Sequence, residues 1–105
     1  MSTARLWHTV ALTGSLDGAS SDRVRDLVNH EVARNDRVLL NLSEVDYISS
    51  AGLRTLLVIH REAQRAGSEV ALTGMSAEIS HIMSITGFLG LFTVIEDGGG
   101  ADRDD

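Results

Sequence analysis

The stretch from Val38 to Leu57 constrains the fold more than any other part of the chain. Val38-Leu39-Leu40-Asn41-Leu42 is a short, nearly continuous apolar run, the pattern of a strand buried on both faces of a sheet flanked by helices. Further on, Leu53, Leu56, Leu57, His60, Ala63 and Gln64 fall on one side of a helix of 3.6-residue period, and Gly67 is placed to cap its end. Between the two a loop turns, and the helix opens with Ser49 and Ser50 at its mouth. Unpaired backbone N–H groups and the positive end of the helix dipole lie beside them. A negative group is well accommodated at such a place.

The rest of the chain repeats the strand-then-helix order. Leu6 to Thr13 reads as a strand ended by Gly14, and the loop Gly14 to Ala19 leads to Ser20 or Ser21 as an N-cap with Asp22 in the first turn. Val24, Leu27, Val28 and Val32 then recur at helical spacing. After Asn35-Asp36 comes the central strand, Arg37 to Leu42, and after the long helix a short strand, Glu69 to Thr73, ended by Gly74. Ser76 caps a third helix with Glu78 in its first turn; Ile79, Ile82 and Met83 form its buried set, with Ile85 at the margin, and Gly87 stops it. Leu91 to Ile95 makes a last strand. This alternation implies parallel strands joined by right-handed crossovers. The expected architecture is one α/β domain over residues 1–97, a sheet of about four strands packed with about three helices. From Gly98 the glycines and the acidic end offer too little apolar surface to offset chain entropy, so 98–105 is expected to be a disordered acidic tail.

Composition removes whole classes of function. The absence of cysteine excludes disulfides, thiolate metal sites and cysteine nucleophiles, and suits a reducing cytoplasm. All nine cationic side chains are arginine, so neither a Schiff-base lysine nor a P-loop lysine exists. The net charge is −6, and the last ten residues hold five carboxylates against one arginine, which leaves a nearly balanced body. Without a basic surface, and with only four aromatic residues, a nucleic-acid partner is not expected. No apolar run approaches the roughly 20 residues of a membrane span, and the N-terminus lacks a signal-peptide layout. A cytoplasmic protein without direct membrane insertion is expected.

Few constellations carry chemistry. One of Ser49 and Ser50 can be a plain N-cap, worth roughly 1 kcal/mol, and the other is then free for modification; a phosphoryl group adds about −1.5 to −2 charges. On the solvent side of the helix, Arg54, Val58, Arg61 and Arg65 fall within about 60° of one another at 100° per residue. Three arginines around a valine suit an acidic, partly apolar protein surface; the plain alternative is a solvated face. His60 sits at the centre of the expected buried stripe, as a core or edge histidine. His8, His30 and His81 have no metal spacing, and no cofactor is indicated. Ser50 lacks the Gly-x-Ser-x-Gly elbow, and His60 is about 15 Å along the helix, too far to act as its base. Gly14-Ser15-Leu16-Asp17-Gly18 is neither a Walker loop nor a dinucleotide fingerprint. No catalytic residue is assigned.

The run Val38 to Leu42, followed by Val45-Asp46-Tyr47-Ile48-Ser49-Ser50-Ala51-Gly52-Leu53-Arg54, resembles the signature of the STAS domain, shared by sulfate-transporter tails and bacterial anti-sigma factor antagonists. Gly14-Ser15-Leu16-Asp17 resembles the family's Gly-Glu-Leu-Asp turn, and Ile85-Thr86-Gly87-Phe88 its Leu-Thr-Gly-Leu segment. The similarity spans residues 6 to 96. In the antagonists the loop reads Asp-Ser-Ser/Thr-Gly-Leu, and an anti-sigma kinase phosphorylates the serine two positions before the glycine. Aligned on Gly52, that serine is Ser50, with Ser49 as the other candidate; the family's Asp falls on Ser49, and Ala51 lies between serine and glycine.

The resemblance implies a non-catalytic regulator of transcription, docked onto an anti-sigma factor/serine kinase when unmodified, released by phosphorylation at Ser50 and reset by a phosphatase. Its partner-binding set is Asp17, Ser49, Ser50, Ala51, Gly52, Leu53, Arg54, Val58, Arg61 and Arg65. The alternative is a STAS accessory subunit of a transporter or sensory complex. A small enzyme or nucleotide binder of the same layered class is a third reading. The N-terminus is short for the family's first edge strand, and the tail after Ile95 lacks the apolar spacing of its closing helix, so a weak homodimer or partner contact is expected along the strand Leu6 to Thr13.

Overall fold

In the computed structural model, which describes residues 7–95, each strand runs the same way and each helix carries the chain back to start the next. The order is β1 (His8–Leu16), α1 (Ser21–Val32), β2 (Arg37–Ile48), α2 (Ser50–Arg65), β3 (Glu69–Thr73), α3 (Ala77–Ile85), a 3-10 turn (Phe88–Leu91) and β4 (Thr93–Val94). The sheet is laid down in sequence order, β1-β2-β3-β4, with every neighbouring pair parallel. Right-handed crossovers made repeatedly in one direction place all the intervening helices on the same face. The core agrees. Val10, Leu12, Val38, Leu40, Leu42, Val70 and Leu72 join Val24 and Val28 of α1, Leu56 and Ile59 of α2, and Ile79 and Met83 of α3 in one apolar cluster. Leu39 and Ala71, which alternate with these strand residues, are buried outside it. The continuous apolar run at Val38 to Leu42 thus reflects a strand buried on both sides, with the described helices on one side only.

Several boundaries move from their expected places, each for a physical reason. β2 runs six residues past Leu42, to Ile48. Against β1 it gains one extra residue between Asn41 and Glu44 and another between Val45 and Tyr47. Such bulges break strict alternation, so Leu42, Val45 and Ile48 are buried at intervals of three and do not read as a strand. β1 likewise continues through Gly14, whose φ of +81° sits beside the second irregularity, and ends at Leu16. In α2 the buried residues are Gly52, Leu53, Leu56, Ile59 and Ala63. The apolar stripe is therefore rotated toward Ile59; Leu57 and His60 are half-buried and Gln64 is exposed. The His60 ring makes a tilted contact with that of Phe92, centroids 5.0 Å and planes 57° apart, at the edge of the core instead of its centre. Leu27 is 37% exposed and Ile85 68%, so neither belongs to the core; Ile82 is half-buried. The last strand shrinks to Thr93–Val94, because the 3-10 turn takes up Leu91 and packs Phe88 and Leu89 against the core. β3, the Ser76 cap of α3 and the left-handed Gly67, Gly74 and Gly87 stand where the sequence puts them. The expected start at Leu6 and the tail 98–105 lie outside the described residues.

Candidate functional site

The C-terminal ends of β1 and β2 and the starts of α1 and α2 meet at one end of the sheet. Leu16 pairs with Ile48 at the last rung, and the Leu16 carbonyl then accepts the Ser49 N–H at 2.9 Å. That carbonyl also fixes the identity of Gly52. A Cβ there would stand 2.2 Å from Leu16 O and 2.7 Å from its carbon, and backbone cannot yield as a flexible side chain does. Glycine is required by this approach, since φ at Gly52 is not in the left-handed region.

The two serines divide the labour. Ser49 is the N-cap: its backbone is extended (φ −99°, ψ 177°) and its hydroxyl oxygen accepts the Gly52 N–H at 3.1 Å. Ser50 is the first residue of α2 and is exposed, and its hydroxyl makes no hydrogen bond among the described residues. The caps of α1 and α3 are also serines, but those helices carry Asp22 and Glu78 in their first turns. The first turn of α2 carries no acidic residue. Its positive end has no carboxylate of its own first turn beside the accessible hydroxyl.

The neighbouring loop is closely tied by hydrogen bonds. Asp17 Oδ1 accepts the N–H groups of Ala19 and Ser20 at 3.0 and 3.1 Å, and the buried Ser20 hydroxyl donates to the Ser15 carbonyl at 2.7 Å. The Ser21 hydroxyl donates to the Asp17 carbonyl at 2.7 Å and receives Thr55 Oγ1 at 2.7 Å, which ties the loop to α2 one turn after Ser50. Asp17 therefore holds its own loop at the rim of the site. Leu16, Asp17, Ser20, Ser21, Val24, Gly52, Thr55 and Leu56 line a shallow dent between the helix starts, with no enclosed cavity.

Of the residues singled out from sequence, Ser50, Arg54, Arg61 and Arg65 are exposed and Ser49, Ala51 and Val58 are half-buried. Gly52 and Leu53 are buried, Leu53 within the core, so they shape the surface from beneath. Tyr47, 55% exposed on the last stretch of β2, stands beside the serine loop. A strand expected to end at Leu42 assigns Tyr47 no face; carried on to Ile48, it turns Tyr47 outward. Behind the arginine face, Glu62 accepts from Arg25 and from Asn29 Nδ2, the latter at 2.9 Å, and joins α2 to α1. The Arg25 hydrogen bond, then that of Asn29, holds the Glu62 carboxyl below its ordinary range. No cluster of three or more His, Asp or Glu side chains that could hold a metal occurs among the described residues. No described helix is long and apolar enough to cross a membrane.

The family model for the STAS domain matches residues 6–100. The chain belongs to the STAS domain family. Among its relatives, the Bordetella bronchiseptica protein BtrV, named as an anti-sigma factor antagonist, is 31% identical over 84 residues, 79% of this chain and 72% of BtrV. Among solved structures, a sulfate transporter family protein from Wolinella succinogenes superposes with a TM-score of 0.73 at 17% identity, over 92% of this chain and 84% of that one. The unphosphorylated form of the anti-sigma factor antagonist SpoIIAA, from Bacillus, superposes at 0.68 and 17% identity, over 94% and 90% of the two chains. These likenesses confirm the STAS fold, with four parallel strands and three helices described in this chain.

Proposed function

We propose that this STAS domain is an anti-sigma factor antagonist, a non-catalytic cytoplasmic switch that docks on an anti-sigma serine kinase when unmodified and releases it when phosphorylated at Ser50. The observation that carries the reading is the division between the serines: Ser49 is spent on the cap, while Ser50 is exposed, unpaired among the described residues and at the start of a helix that lacks a first-turn carboxylate. In the reaction, Ser50 Oγ bonds to the terminal phosphorus of a nucleoside triphosphate, the bond to the departing diphosphate breaks, and the hydroxyl proton passes to a base of the kinase. The chain tolerates the product because the phosphate lies in water at the favourable end of the dipole. The partner does not, because a dianion then has to be desolvated in the interface. A phosphatase resets the switch by hydrolysing the ester.

The docking surface on this reading is Ser50, Ala51, Arg54, Val58, Arg61 and Arg65, with Asp17 at the rim. A relative named as an anti-sigma factor antagonist supports the reading, and SpoIIAA is known in a phosphorylated form. Titration calorimetry with candidate anti-sigma kinases tests it. Ser50→Ala is expected to bind constitutively and Ser50→Asp weakly, and equal affinity of both for a cognate kinase would overturn the switch. Co-purification with a transporter, with no phosphate on Ser50 in cells, would instead favour an accessory role, for which the Wolinella likeness supplies fold-level support. β1 is an outer strand with no neighbour on its far side among the described residues, and a weak homodimer along it is part of the proposal. Light scattering at high concentration would reveal it, and a monomer there removes it.

A further inference from the structure

Ser50 and Arg54 stand four residues apart on α2, and both are exposed. Residues at this spacing are surface neighbours, with Cβ atoms about 5–6 Å apart. Helical Cα–Cβ bonds tilt toward the N-terminus, so a long side chain at position 54 leans over the turn that Ser50 begins. Of the other cations several are engaged or distant, while Arg23, exposed in the first turn of α1, lies on a different helix. Arg25 is paired with Glu62, and Arg37 with Glu69 at 3.6 Å. Arg61 and Arg65 lie roughly 16 and 22 Å further along the helix axis. Arg54 is in no ion pair among the described residues. Asp17 turns Oδ1 onto the N–H groups of its own loop and forms no ion pair with Arg54.

We propose that Arg54 is the intramolecular receptor of the Ser50 phosphoryl group. Its planar guanidinium fork matches two phosphate oxygens, a geometry that a point-charge ammonium does not reproduce. Modification then changes the docking face twice in one event: it adds the dianion, and it withdraws from the partner the arginine closest to it. The inference rests on Ser50 being the modified residue, and it specifies how the modified state is held.

The test uses full-length protein with phosphoserine installed at position 50 during translation, so no kinase is needed. In NMR spectra the Arg54 Nε–H signal is expected to move on phosphorylation and to exchange more slowly with water, while that of Arg61 stays in place. Phosphorylation is expected to raise Tm by about 2–5 °C. Arg54→Ala should lose at least half of this gain, Arg54→Lys should keep more of it than Ala does, and Arg61→Ala should keep all of it. An Arg54 signal unmoved by the phosphate, or the same gain in Arg54→Ala, would overturn the clamp while leaving the switch reading standing. A clamp that forms in a phosphoprotein that still binds its cognate kinase would overturn the switch reading alone.

Discussion

The starts of α2 and α3 are built on the same plan and differ where it matters. Each is capped by a serine whose hydroxyl accepts the N–H of the residue three further on, Gly52 in one and Ile79 in the other, both at 3.1 Å. Each follows a parallel strand. After the cap, α3 has Ala77 and then Glu78, so its dipole already has a carboxylate beside it. α2 has Ser50 and then Ala51, with none. One helix start is electrostatically finished by its own sequence; the other is mechanically complete yet one negative charge short. On the proposed reading this is where charge arrives, and the cap alone does not single it out, because the cap is common to both.

The largest effects should come from the third position after each cap, where the two helices make opposite demands. Gly52→Ala forces a methyl into the Leu16 carbonyl and is expected to destabilise by about 2–4 kcal/mol, despite the better helix propensity of alanine. Ile79, 2% exposed, fills the core from the equivalent place, and Ile79→Ala should cost about 2–5 kcal/mol through the cavity it leaves. Urea unfolding measures both. A Gly52→Ala protein as stable as wild type would mean that α2 can shift off β1, and the rigid platform beneath Ser50 would be lost as an idea.

Next come the caps. Ser49→Ala and Ser76→Ala should each cost about 1 kcal/mol, whereas Ser50→Ala should stay within about 0.5 kcal/mol of wild type. If Ser50→Ala were as costly as Ser49→Ala, the hydroxyl would be structural. A smaller effect separates the two helix starts by charge. Ser50→Asp places a carboxylate at the vacant end of α2 and should stabilise the unbound protein by about 0.3–1 kcal/mol at low salt. Ala77→Asp, at the same place in α3, should give less because Glu78 is already there. Equal gains would erase the asymmetry.

How much of this was legible beforehand follows from what each residue depends on. The Ser76 cap, the extent of β3 and the helix-ending glycines are local matters, and periodicity with turn chemistry gave them directly. The serine pair and the arginine face were legible for the same reason: four positions on one helix need only the 3.6-residue period. Three things were hidden because they depend on a partner strand or helix. The bulges that carry β2 to Ile48 exist only in register with β1, and with them Tyr47. The rotation of the α2 stripe toward Ile59 depends on what α2 packs against. The need for glycine at 52 arises from a carbonyl 36 residues earlier in the chain, so the family motif marked the residue while only the structure gave its reason.

The smallest expected effect is a pH slope, and it tests whether the two ends of α2 act independently. Glu62, about three turns beyond Ser50, is bound by Arg25 and Asn29 of α1, and its carboxyl titrates below its ordinary range. A carboxylate depressed in the folded state adds stability that is fully present above its unfolded value, near pH 4.3, and is lost as pH falls through the folded one. Wild type should therefore lose stability more steeply than Glu62→Gln on acidification below about pH 4.5, while the two differ little in slope at neutral pH. The pair is solvent-exposed, so the difference should shrink further in high salt. Through all of this the rate at which Ser50 accepts phosphate from a given kinase at neutral pH should be the same in Glu62→Gln as in wild type. The junction is held by Leu16, Ser49 and Gly52 rather than by the far end of the helix. A change in that rate, with affinity for the kinase unchanged, would show that the α1–α2 link sets the pose of the serine, and the contrast between a self-contained α2 start and its α3 counterpart would have to be redrawn around the whole helix pair.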